Sequence, residues 1–334
     1  MKGENNVHIF YPDGIFTPIV KGFLEYKRDM GYKYDDGRMY TLRKILVQLN
    51  GYGIRTPRLT EQMVWDIQKK LPEESASTQS ARITLLRQLA LYMNRQGYET
   101  YILPTGFYKF QKTIFKAFIY SCQEIESIFN TCDCYCRDSG CLSESAKVVY
   151  PFLLRTLYAC GLRISEALRL KSGEVNLEER FLLIRESKKY KSRYVPISDS
   201  LSENLQIYEQ IKKEKGIQSY DESYFPAPDG YRYSRSAVSC QLKIFIARAN
   251  VRKTSEGCFP RIHDVRHTAA VRILENLDEE KLDLNVYLPL LSVFLGHDTF
   301  WETEQYLQLP YYSFNRMQDL TDILHIIPEV NENE

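Results

Sequence analysis

Between Phe16 and Gly97, apolar residues recur at three- and four-residue steps in four separate stretches, and this constrains the fold more than any other feature of the chain. Such spacing lets a helix bury one face and leave the other wet. "FTPIVKGFLEYKRDMGY" opens on a Thr17–Pro18 cap signal and stops near Gly31. "GRMYTLRKILVQLNGYG" holds Tyr40, Ile45 and Leu49 near one face and ends at Gly51. "LTEQMVWDIQKKL" starts with Thr60 as N-cap, and "SASTQSARITLLRQLALYMNRQG" ends at Gly97. Four helices with short connections predict a bundle over residues 15–100.

The linker "YETYILPTGFYKFQK" (98–112), with Pro104 and Gly106, leads into a second domain predicted over 112–315. Two apolar helical stretches, "IYSCQEIESIFN" and "AKVVYPFLLRTLYACG", precede "RFLLIRESKKYKSRYVPIS", whose two β-rich runs around a basic turn predict a hairpin. Helical spacing returns in "SAVSCQLKIFIARANV", "HDVRHTAAVRILENL", "LNVYLPLLSVFLGH" and "WETEQYLQ". The expected class is mainly α: a helical bundle, then a mixed α/β domain with one small antiparallel sheet, then a terminal helix and acidic tail over 316–334.

No apolar run reaches the ~18–20 residues of a membrane span, and "MKGENNVHIF" lacks a signal-peptide core. A cytoplasmic protein without a membrane partner is expected, its 8 cysteines mostly reduced. The net charge of +1 argues against a polyanion binder until its distribution is read. Residues 274–334 hold only Lys281 and Arg316 against thirteen acidic residues, so the preceding body carries a net +12. A basic body with an acidic end fits a nucleic-acid binder with a separate interaction region.

Four stretches carry candidate chemistry. In "ACGLRISEALRL", Arg163 sits at a helix start beside the Gly161 turn, where its fork of donors can reach a phosphate; an ion pair with Glu166 is the plainer reading. In "ESKKYKSRYVPI", Lys188, Lys189 and Lys191 crowd a hairpin tip, and a lysine there can protonate a leaving oxygen or simply solubilise a turn. "RIHDVRHTAAV" sets His263 and Arg266 on one helix face near an N-terminus, with His267 and Asp264 read as packing or supporting partners. "LGHDTFWETEQYLQ" places His297 at a turn after Gly296 and Tyr306 nine residues later, on a short helix. A phenol with a pKa near ~10 is a poor nucleophile unless cations stabilise its anion, and two arginines, two histidines and a lysine supply that field.

"GLRISEAL", "SKKYKSRYVPI", "HDVRHT" and "LGH" followed by tyrosine stand in the order seen in the tyrosine recombinases, the phage-integrase family that includes Xer-type and transposon integrases, and the chain resembles that family over about residues 15–310. The resemblance implies a SAM-like core-binding bundle and an integrase-like catalytic domain closing as a C-shaped clamp on duplex DNA. It implies Tyr306 as nucleophile, Arg163, Arg266, His263 and His297 as phosphate-binding and activating residues, and Lys188 as general acid. The reaction would pass through a 3′-phosphotyrosyl link and a free 5′-hydroxyl, without cofactor, metal or ATP. Arg43, Lys44, Ser80, Arg82 and Arg87 are the expected DNA contacts of the bundle. The implied partners are double-stranded DNA, further copies of the chain in a tetramer on two sites, and accessory DNA-bending or directionality proteins. "ENLDEEKLDLN" reads as extra acidic material ahead of His297, and the short run before the bundle predicts no arm-site domain.

A type IB topoisomerase shares this chemistry, but "LGH" and the acidic, apolar C-terminal segment favour an assembling recombinase; a non-catalytic DNA-binding protein could share the fold, and the full candidate set argues against it. A metal-dependent nuclease would need clustered carboxylates. "CDCYCRDSGC" brings Cys132, Cys134, Cys136 and Cys141 close in sequence, but its C-x-C-x-C-x4-C spacing is not a common zinc pattern, so a flexible reduced loop is expected.

Overall fold

The computed structural model describes residues 12–32, 34, 36–72, 74–106, 117–185, 192–254, 257–297, 299, 301–304 and 306. The chain divides into two compact units, Met1–Ile114 and Phe115–Glu334. The first contains helices α1 (Thr17–Asp29), α2 (Asp36–Asn50), α3 (Glu61–Gln68) and α4 (Ala76–Arg95). Their apolar stripes close a core that includes Phe23, Leu46, Val64 and Leu89. Thr60 and Ser75 cap α3 and α4 by accepting from the amides of Met63 and Thr78. Thr17 is not the cap of α1: Phe16 takes that place, and the Thr17 hydroxyl donates to the Pro12 carbonyl at 2.7 Å. Ile45 and Leu49 are buried as their spacing predicts, whereas Tyr40 lies outside, under the Lys44 ammonium at 4.7 Å.

The second unit packs α5 (Cys122–Asp138), α6 (Glu144–Ala159), the one-turn α7 (Ile164–Ala167), α8 (Asp199–Glu214), α9 (Arg235–Arg248), α10 (His263–Glu279), α11 (Leu284–Leu295) and the one-turn α12 (Trp301–Glu304). Strands β1 (Val175–Asn176), β2 (Phe181–Ile184) and β3 (Arg193–Pro196) form an antiparallel sheet in the order β1-β2-β3. The expected hairpin is thus present, in a register that pairs Leu182 with Val195 and Ile184 with Arg193. Alternation sends Leu182, Ile184, Val195 and also Arg193 inward. Helix α8 was not anticipated; it buries Leu201, Leu205 and Tyr208.

A further expectation fails. "CDCYC" is not loop but the last turns of α5, where helical spacing sends Cys132 and Cys136 into the core and leaves Cys134 exposed, as is Cys141 beyond the helix. "ENLDEEKLDLN" spans the end of α10, which runs to Glu279, and the start of α11, which begins after the Asp283 cap, whose side chain accepts from the Asn285 amide at 2.9 Å. The terminal helix and acidic tail expected over 316–334 lie outside the described residues. Among the described residues no helix is long and apolar enough to cross a membrane.

Candidate active site

Two left-handed glycines form the floor of the site. Gly161 (φ 54°) ends the turn after α6, and Gly296 (φ 67°) ends α11. Neither tolerates a side chain easily, since a Cβ on Gly161 would meet Leu295 Cδ2 at 2.9 Å and one on Gly296 would meet Arg193 Nη1 at 2.5 Å. The exposed carbonyls around these turns accept from arginines. Arg266 donates through Nη1 to Gly161 O and through Nη2 to Leu295 O, both at 2.7 Å. Arg163 Nη2 donates to Gly296 O at 2.9 Å, and Arg193 Nε to Phe294 O at 2.9 Å.

Glu166 anchors these cations. Its carboxylate is 2% exposed and accepts from both terminal nitrogens of Arg193 (3.0 and 3.2 Å), from Arg163 Nη1 (2.9 Å) and from the Arg163 amide (3.0 Å). Arg266 Nη1 lies 3.9 Å away. Burial opposes the charge, but hydrogen bonding and charge from Arg193, then Arg163, outweigh it and hold Glu166 below the usual carboxylate range. The plainer reading of Arg163, a salt bridge to Glu166, is thus satisfied together with its place in the site. Sequence reasoning missed Arg193 and the extent of Glu166's role. A charged residue alternating with Val195 on a strand was the available signal.

Tyr306 is in 3₁₀ conformation two positions after the last described residue of α12, 4% exposed among Val271, Leu274, Leu288, Leu291 and Leu295. Its Oη is 3.0 Å from His267 Nδ1. The His297 ring stacks on the Tyr306 ring, with centroids 6.0 Å apart and planes at 23°, and its Nδ1 is held by Thr303 Oγ1 at 2.7 Å. His263 begins α10 and packs edge-on against His267, centroids 4.7 Å apart. Asp264 steadies this end of α10 by accepting from the Arg261 amide at 2.7 Å and the Phe118 amide at 3.4 Å.

The histidines are neutral near pH 7. Desolvation, then the charges of Arg266 and Arg163, push His263 to about 4 and His297 to about 3. Desolvation, then His263 and Arg266, push His267 to about 3. Burial raises the Tyr306 pKa, and charge and hydrogen bonding from Arg266, with the charge of Arg163, pull against that rise.

The structure therefore brings Arg163, His263, Arg266, His297 and Tyr306 together, and adds His267, Glu166, Arg193 and Thr303. Lys188 and its neighbours Lys189 and Lys191 lie outside the described residues. In the first unit Arg43 and Lys44 are exposed on α2, and Ser80 is half-buried on α4. Arg82 corrects an expectation: it is 2% exposed, bonded to Glu74 at 2.6 and 2.9 Å and to the carbonyls of Ile67 and Lys69. A guanidinium so enclosed holds the bundle together and cannot reach a phosphate. Arg87 is half-buried, its Nε donating to Leu103 O at 2.9 Å.

A match to the phage integrase family spans residues 121–311, the stretch that contains every residue of this constellation. The chain belongs to the phage integrase family. As a tyrosine recombinase it is an enzyme of DNA strand breakage and rejoining. This integrase is 25% identical over 296 residues to the putative integrase/recombinase y4rB of Sinorhizobium fredii, covering 87% of this chain and 92% of that one. It is 31% identical over 155 residues to the tyrosine recombinase XerD of Staphylococcus aureus, a match spanning about half of each chain (46% and 48%). Its fold is similar to that of the XerH recombinase bound to difH in a post-cleavage complex (TM-score 0.64, 16% identity, 92% of this chain and 94% of that one). It is also similar to the Tn1549 transposon integrase in complex with transposon right-end DNA (TM-score 0.59, 15% identity, 92% and 99%).

Proposed function

We propose that the protein is a cytoplasmic site-specific DNA recombinase of a mobile element or of chromosome or plasmid resolution, with Tyr306 as its nucleophile. The observation that carries this reading is the convergence of Tyr306, met by His267 Nδ1 at 3.0 Å and stacked by His297, with the Arg266 and Arg163 guanidinium groups that hold the turns at Gly161 and Gly296, a place where an incoming phosphodiester would meet two cations. Tyr306 Oη attacks phosphorus, a 3′-phosphotyrosyl bond forms, and O5′ leaves with a proton from Lys188. The free 5′-hydroxyl of a partner duplex then attacks phosphorus in reverse, so bond energy is conserved and no nucleotide is hydrolysed. Arg163 and Arg266 offset charge on the pentacoordinate phosphorus, and His263 and His297 contribute neutral hydrogen-bonding rings at its edge.

Residues 15–100 bind and position the duplex, residues 112–315 cut it, and residues 316–334 serve contacts between copies in a tetramer on two DNA sites. Arg43 and Lys44 of α2, together with Ser80 and Arg87 of α4, supply contacts from the first unit, where phosphate contacts set position. Accessory DNA-bending proteins would act on the DNA between sites. The test is a nicked suicide duplex, obtained by covalent capture from a randomised pool. A protein–DNA adduct is expected from the native chain, and Tyr306→Phe should bind the same duplex without forming one. An adduct in Tyr306→Phe, mapped to Tyr311 or Tyr312, would refute the assignment.

A further inference from the structure

Tyr306 must lose a proton when its oxygen bonds to phosphorus, and the other assigned groups are poorly placed to take it. Arg163 and Arg266 carry no lone pair with which to accept. His297 lies nearly parallel to the phenol, so its in-plane nitrogens run past Oη, and Nδ1 is already engaged by Thr303. His263 packs edge-on against the ring of His267, one helical turn on, and it is His267 that meets the hydroxyl. Glu302 contributes a through-space charge that opposes the phenolate.

The ring that meets the hydroxyl is His267. Its Nδ1 is 3.0 Å from Tyr306 Oη, with ring centroids 5.6 Å apart at 55°. We infer that His267 both positions Tyr306 for attack and accepts its phenolic proton, an assignment that rests on Tyr306 being the nucleophile.

As the bond from Oη to phosphorus forms and the bond from phosphorus to O5′ breaks, the Oη proton passes to His267 Nδ1, and O5′ takes a proton from Lys188. In the return step O5′ gives its proton back to Lys188 as it attacks, and His267 returns its proton to the departing Oη. The balance closes within the protein and its substrate. Three features suit His267 to this role. Its ring is neutral in the resting site, so Nδ1 can keep a lone pair for the hydroxyl. It follows Arg266 directly on α10, so one helical turn supplies both the group that stabilises charge and the group that removes the proton. An arriving phosphate brings negative charge against the Arg266 field that otherwise disfavours an imidazolium, so proton affinity at His267 rises as attack begins.

The experiment measures single-turnover adduct formation on the selected nicked duplex, with band shifts to confirm binding. His267→Leu should bind normally and cleave about 100-fold more slowly, the scale of a lost general base. His267→Asn, whose amide oxygen can hold the hydroxyl but cannot take its proton, should stay within about 10-fold of the His267→Leu rate. Site-specific replacement of Tyr306 by a more acidic fluorinated tyrosine should speed His267→Leu much more than the native background. Native-rate cleavage by His267→Leu would overturn the inference. So would recovery of His267→Asn to near the native rate, or no gain from the acidic phenol, either of which would mark a role in positioning or packing alone. A cleaving Tyr306→Phe variant would instead overturn the nucleophile assignment, and this inference with it.

Discussion

Glu166→Gln is the most demanding test of how the site is held. The substitution keeps the shape and removes one charge from a carboxylate that meets three arginines, two of them almost wholly enclosed: side-chain exposure is 7% for Arg193 and 3% for Arg266. A glutamine presents an NH2 where Arg193 or Arg163 now donates, so at least one guanidinium loses its acceptor. Leaving buried charge uncompensated in this way costs about 3–5 kcal/mol. For a unit of this size, each kcal/mol moves the melting temperature by about 2–4 °C, so a fall of about 6–20 °C is expected in a calorimetric scan. Replacing Arg193 by Met in the same chain should recover more than half of that fall, because an apolar arm of similar length then fills the pocket without charge. The acid limb gives an independent check. The folded pKa of Glu166 is depressed, so its stabilisation is present above the ordinary carboxylate value of about 4.3 and is lost as pH falls through the lower folded value. Glu166→Gln should flatten that limb. A melting temperature within about 1 °C of native would refute the hub.

Other expectations follow from the same contacts. Gly296→Ala should lose at least about 1–2 kcal/mol to its left-handed backbone alone, and more from crowding Arg193, seen as a lower melting temperature and weaker cleavage. His263, His267 and His297 should show neutral imidazole signals by NMR down to about pH 5, because their folded pKa values lie well below the unfolded value of about 6.5. By linkage, the stability they contribute is full above that value and declines as pH falls toward 4; signals titrating near 6.5 would contradict the site's electrostatics. Arg43→Ala should reduce the salt dependence of DNA binding by about one unit, whereas Arg82→Ala should leave that slope alone and unfold the bundle at lower temperature. Lys188→Ala should slow cleavage of ordinary DNA but much less so when the leaving 5′ oxygen is sulfur, and rescue of Lys189→Ala instead would move the role.

Local chemistry made much of the fold readable. Thr60, Gly97, Gly161 and Gly296 mark element ends by hydroxyl capping or positive φ, which are properties of single residues. Arg82 was legible too, had its spacing been given more weight than its charge. It stands three, four and seven residues before Leu85, Leu86 and Leu89, on the buried face of α4. Cys132 and Cys136 likewise continue the stripe begun by Ile125 and Ile128, and a cysteine-rich look hid a plain helix. Of the site, Arg163, His263, Arg266, His297 and Tyr306 were readable because their separations along the chain recur as a pattern. The Glu166–Arg193 pair was not, because its partners are 27 residues apart and meet only once a hairpin folds back over α7.

The arginines that face the proposed nucleophile are also the rivets of the domain. Arg266 fastens the turn at Gly161 to the end of α11, and Arg163 fastens α7 to Gly296. A descendant that abandoned chemistry and kept only its grip on DNA would still need both, or its last helices would come loose. The phenol is under no such obligation, since a phenylalanine at position 306 would fill the same apolar niche and give up the hydroxyl's contacts with His267 and Arg266. Arginines retained in a relative therefore report an intact scaffold, and under the proposed mechanism the single oxygen on residue 306 is what separates a working enzyme from a retired one.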